Sequence, residues 1–144
     1  MSDANREQVG GMHYKTGYEH WDLALHVGWD GYLPGQISKY VTRWRDKGGV
    51  TDLKKALHFL DKLIENPATW RSSPLTKAEL AAVYERYVKE NGLSLLESEI
   101  IGALITGPDR GTLQDIRGYL LTLIELASPP HRSDSNKHAQ EETP

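Results

Sequence analysis

The chain contains no cysteine, which excludes a disulfide scaffold, thiolate catalysis and any Cys-ligated zinc or iron–sulfur centre. No apolar run approaches the roughly 20 residues that a membrane span requires. Met1 to Gly11 is polar and lacks the apolar centre of a secretory signal, so a cytoplasmic location and no membrane partner are expected. The G-x-x-x-x-G-K-[ST], G-x-G-x-x-G and G-x-S-x-G signatures are also missing, so none of the common phosphate loops or nucleophile elbows is present. There is little net charge: the formal value is −3, whereas a general nucleic-acid binder usually carries a net basic field.

What is present is helical patterning. The 144 residues suffice for one compact domain, or one domain with a helical addition. We read an all-α bundle of five to six short helices between disordered termini, 1–12 and 128–144, both poor in apolar residues. The first helix is expected over Gly17 to Val27 with Tyr18, Trp21 and Leu25 on one stripe, and Gly28 to Gly31 breaks it. A second runs from Pro34 to Lys47, with Ile37, Tyr40, Val41 and Trp44 at i, i+3, i+4, i+7, and Gly48-Gly49 ends it. Thr51-Asp52 opens a third, whose stripe is Leu53, Ala56, Leu57, Leu60, Leu63 and Ile64, and Asn66-Pro67 stops it. Residues 67–75 read as a linker between region 13–66 and region 76–127. Capping boxes at Thr76/Glu79 and Ser94/Glu97, and a start at Thr112, mark three more helices. Short connections imply antiparallel neighbours.

The charge is unevenly distributed. Gln36 to His58 holds six Lys/Arg against two Asp, while Arg71 to Ala127 has a slight acidic excess. A local basic patch on a mildly acidic chain suits a small anion better than a long polyanion. The acidity of the last three helices argues against reading them as a DNA-binding helix-turn-helix. Gln36, Lys39 and Arg43 fall at i, i+3, i+7, so one amide and two cations share a helix face. Arg offers a planar fork to phosphate and Lys a point charge. Arg45 and Lys47 extend the patch, and Lys54, Lys55 and His58 join it if the third helix folds back. The alternative for all of these is a solvated basic face.

Glu19, Asp22 and His26 lie at i, i+3, i+7 of the first helix. Carboxylates beside a phosphate site could hold Mg²⁺, which takes one or two carboxylates together with phosphate oxygens and water. The same acids could instead pair with cations of the second helix. His13, His20 and His26 show no recognised zinc spacing. Eight of the twelve aromatics fall between Tyr14 and Phe59. Tyr14, Trp29 and Tyr32 lie in expected loops, where a ring can stack on a base, although packing is the other role open to each.

His13-Tyr14, Gly17 and Glu19-x-x-Asp22 are followed by Gly35-Gln36-Ile37-Ser38-Lys39-Tyr40-Val41-x-Arg43. Lys47-Gly48-Gly49 and Asp52-Leu53-x-Lys55-Ala56-x-x-x-Leu60-Asp61 come next. In this order the pieces resemble a small phage-encoded family of proteins of unknown function, typified by the phage T7 nucleotide kinase. The likeness covers residues 13–62. Gln36 stands where the family usually has Asn, and Phe59 where it often has Tyr. The resemblance implies nucleotide handling in a host cytoplasm. It implies that Lys39 and Arg43 clamp phosphate, that Glu19 or Asp22 holds Mg²⁺ or a sugar hydroxyl, and that His13 and Tyr14 border the site. Tyr40 and Lys55 belong to the same matching stretch.

Three functions are carried forward. The first is a nucleoside monophosphate kinase, with catalysis resting on Glu19, Asp22, Lys39 and Arg43. The second is a non-catalytic sponge for a host signalling nucleotide, which needs only a basic aromatic pocket. The third is an interaction protein that uses its C-terminal helices. A homo-oligomer with sites near subunit interfaces is expected, because helical domains this small often associate to close a pocket.

Overall fold

Helix starts and stops in this chain are set by a few local devices. In the computed structural model, which describes residues 17–29, 31–67, 70–107 and 110–129, they delimit six helices. These are α1 (His20–Val27), α2 (Tyr32–Arg43), α3 (Val50–Glu65), α4 (Lys77–Asn91), α5 (Leu95–Thr106) and α6 (Arg110–Ala127), with no strand among the described residues. The all-α expectation holds. The expectations for residues 1–12 and 130–144 lie outside the described residues.

The two capping boxes form as read, whereas the starts expected at Thr51-Asp52 and Thr112 lie slightly earlier, at Val50 and Arg110. Thr76 Oγ1 accepts from the Glu79 amide at 3.1 Å, while Glu79 accepts from the Thr76 amide at 3.3 Å. Ser94 and Glu97 form the equivalent box at the start of α5. Gly28 and Gly92 close α1 and α4 in the left-handed region, at φ of 82° and 59°, where a Cβ would be strained.

The first helix needs correction. It begins at His20, not Gly17, and buries Leu23 and Val27. Of the expected stripe only Tyr18 is buried, whereas Trp21 and Leu25 are exposed. Gly17 to Glu19 are not helical, so spacing counted from Tyr18 runs out of phase with the helix. Glu19 is the N-cap and its amide donates to Asp22 Oδ2 at 3.0 Å. The Glu-x-x-Asp pair is thus a capping box.

The second helix ends four residues earlier than expected, and a tight turn over 44–49 carries the chain into α3. Ile37 and Val41 of α2 face Leu53, Ala56 and Leu60 of α3 within one cluster. The same cluster continues through Ile100, Ile101 and Leu104 of α5 and through Leu113, Ile116 and Leu120 of α6. Trp70, in the stretch read as a linker, is buried in it as well. Regions 13–66 and 76–127 therefore share a core, and α3 packs directly on α6.

Candidate functional site

The turn between α2 and α3 is built around one buried carboxylate. Asp52 accepts from Arg43 Nε at 3.0 Å and from Arg43 Nη2 at 3.3 Å, and the Gly48 amide donates to Oδ2 at 3.0 Å. A Cβ on Gly48 would stand 2.1 Å from the Asp52 carboxyl. Gly49, at φ 60° and ψ −145°, occupies a region reserved for glycine. Arg43, Gly48, Gly49 and Asp52 thus form a staple that sets α2 against α3. A forked guanidinium on a carboxylate is among the stronger pairings available to a protein.

With that staple closed, one face of α2 and α3 presents rings and cations. Tyr40 and Phe59 stack with centroids 5.8 Å apart and planes 9° from parallel, and Tyr32 meets Phe59 edge-on at 5.8 Å. Three cations lie over the Tyr40 ring: Arg43 at 4.7 Å, Lys39 at 5.1 Å and Lys55 at 5.6 Å. Tyr40, Thr51, Lys54, Lys55, His58 and Phe59 line an open cavity of about 440 Å³. Lys39, Lys54 and Lys55 make no ion pair with any described residue. Cations held over a ring without a carboxylate partner keep their charge available to an anion.

His20 borders this face. Burial lowers its pKa from 6.5 to about 4, and the positive charges of Lys39 and Arg43 push in the same direction while Asp22 opposes them. The imidazole is therefore neutral at pH 7, at the edge of a cationic surface.

The structure sorts the expected site residues into distinct groups. Tyr40 and Lys55 come together at the cavity, Lys39 lies over the Tyr40 ring, and Tyr32 meets the lining residue Phe59. Arg43 is held by Asp52, so its first role is the staple. Arg45 pairs with buried Glu97 at 2.9 Å across the molecule, and Trp44 Nε1 donates to the same carboxylate at 3.1 Å. Trp29 packs against the core, Gln36 is half-buried and Lys47 is exposed. His13 and Tyr14 lie outside the described residues. Glu19 and Asp22 serve the start of α1 and do not line the cavity. Among the described residues no group of three or more His, Asp or Glu converges on a metal position. Two acids engaged in one capping box fit a Mg²⁺ seat poorly, and no step is assigned to the ion.

Sequence reasoning missed the partners Asp52 and Glu97 and the part played by Phe59. The first had a local signal, since an Asp three residues after a Gly-Gly turn is well placed to reach back to its amides. The pairing of Glu97 with Trp44 and Arg45 had none, because those partners are more than fifty residues away. A second cavity was also missed: about 630 Å³ between α4, α5 and α6. Comparison with family models, with curated proteins and with solved structures found no match to this chain.

Proposed function

We propose that the chain binds a nucleotide on the α2–α3 face and holds it without turning it over. The observation that carries this reading is the stacked Tyr40–Phe59 pair, with Lys39, Lys54 and Lys55 around it free of any described carboxylate. Lysines supply charge to phosphate oxygens, and an aromatic edge or outer face supplies a surface for a base. The resemblance of residues 13–62 to a phage nucleotide-handling family agrees with this ligand class. Binding is favoured over phosphoryl transfer because the cavity is lined by Lys54, Lys55 and His58 with no carboxylate among its residues. In a phage setting such a protein would withdraw a host signalling nucleotide from its receptor.

The test incubates the purified protein with deoxynucleoside monophosphates, cyclic nucleotides, ATP and Mg²⁺. Chromatography with mass detection then follows on the filtrate and on the denatured protein. An intact nucleotide depleted from the filtrate and recovered on denaturation supports the proposal. New di- or triphosphates would establish a kinase instead. Retention unchanged by Lys39→Ala and Lys55→Ala together would remove the α2–α3 face as the site. The expected homo-oligomer is part of the same proposal, and a monomer mass by light scattering would remove that part.

A further inference from the structure

The second cavity shares no lining residue with the first, and its lining is of a different kind. Each of three helices gives it one stripe at helical spacing: Lys77, Leu80, Ala81 and Tyr84 from α4, Ser98 to Thr106 from α5, and Thr112, Asp115 and Tyr119 from α6. α4 and α6 both pack on α5 and hardly touch each other. α5 is therefore the floor of a trough and the other two are its walls. The floor sets the small residues Ser98, Gly102 and Ala103 beside Glu99, Ile105 and Thr106, and a Cβ on Gly102 would stand 3.3 Å from the Tyr84 ring, tighter than an ordinary contact. Small residues on a helix surface let another backbone approach closely.

The connections between these helices are short, so α4 runs antiparallel to α5 and α5 to α6. Lys77 at the start of α4 then lies toward the Thr106 end of the trough, and Glu99 lies near the other end. From Ser98 to Thr106 the floor rises about 12 Å, or roughly two helical turns. Lys77, Glu99 and Asp115 make no ion pair with any described residue. The trough is thus apolar along its length, negative at one end and positive at the other.

We infer that this trough is a docking site for an amphipathic helix of a partner protein. The guest's N-terminus would lie toward Glu99 and its C-terminus toward Lys77. Three observations converge on a helix in that direction. Its partial positive N-terminus meets the acid and its partial negative C-terminus meets the lysine. It runs antiparallel to both walls, which completes an up-and-down four-helix bundle. Its apolar stripe covers Leu80, Tyr84 and Tyr119 at i, i+3/i+4, i+7 spacing, the usual pattern of helix-in-groove recognition.

The experiment selects binders to the full-length protein from a displayed library of helical peptides. The library is randomised at one apolar stripe and at the charge of each end. The expected result is convergence on peptides basic at the N-terminal end and acidic at the C-terminal end. Their binding should weaken at least tenfold on Ala103→Arg, which obstructs the floor. Lys77→Glu combined with Glu99→Lys should weaken them at least fivefold and should prefer the charge-reversed peptides. A library yielding no binder, or binders indifferent to Ala103→Arg, overturns the proposal. Concentration-dependent dimerisation abolished by Ala103→Arg would assign the trough to a second copy of the chain and overturn it too. Circular dichroism of each variant confirms that the helices are intact. The nucleotide test above uses a different face, so either proposal can fail alone.

Discussion

At the scale of single residues, Gly48 and His20 show how much of this molecule is electrostatic joinery. Gly48 is required because the Asp52 carboxyl occupies the space its Cβ would fill. Gly48→Ala is expected to displace that carboxyl from Arg43 and to destabilise the fold by about 2–4 kcal/mol, within the range for breaking a buried pair. Urea denaturation checks this, with a shifted midpoint at an unchanged slope. His20 makes the second case. The unfolded chain takes up its proton near pH 6.5, but the folded chain resists until about pH 4. Between those values the unfolded state binds more protons, so stability falls as the pH falls through this window and levels off below it. The full loss is roughly 3 kcal/mol. In His20→Gln the stability difference between pH 7 and pH 4.5 should shrink by a comparable amount, and an unchanged difference would refute a neutral His20.

At the scale of elements, the joint between the α2–α3 turn and the start of α5 depends on Glu97. Its carboxylate accepts from Trp44, from the Ser94 amide and hydroxyl, and pairs with Arg45. Glu97→Ala is expected to cost about 3 kcal/mol, because it removes half of a capping box and leaves a partly buried indole N–H without its acceptor. Thermal unfolding followed by circular dichroism reads the change. Glu97 also illustrates what the sequence discloses. Its place in a capping box is legible from Ser94 three residues before it, whereas its pairing with Arg45 depends on tertiary structure. The same division holds throughout. Helices α3 to α6 could be read from stripes, caps and glycine stops because those signals act over one or two turns. The short α1 was misread because its stripe was counted from Tyr18, a residue outside the helix. At the candidate site the lysines and Tyr40 were legible as a basic, aromatic helix face. The pairing of Arg43 with Asp52 was not read although a local signal existed, and the pairing of Arg45 with distant Glu97 and the trough were not legible, because both exist only once separate helices are assembled.

At the scale of the whole molecule, the α2–α3 face and the α4–α6 trough belong to a chain with one shared core. Unfolding in urea should therefore be a single transition, coincident by tryptophan fluorescence and by circular dichroism. A fragment ending at residue 75 should lack dispersed amide resonances, because the α3 stripe would lose its contact with α6. Nucleotide binding, resting on exposed lysines, should weaken as salt rises from 50 to 500 mM, and insensitivity to salt would contradict a phosphate contact. The packing of α3 on α6 also bears on how the chain is made. Of the described helices α6 is made last, so the part of the α3 surface that it covers stays open until α6 has emerged, and the shared core can close fully only then.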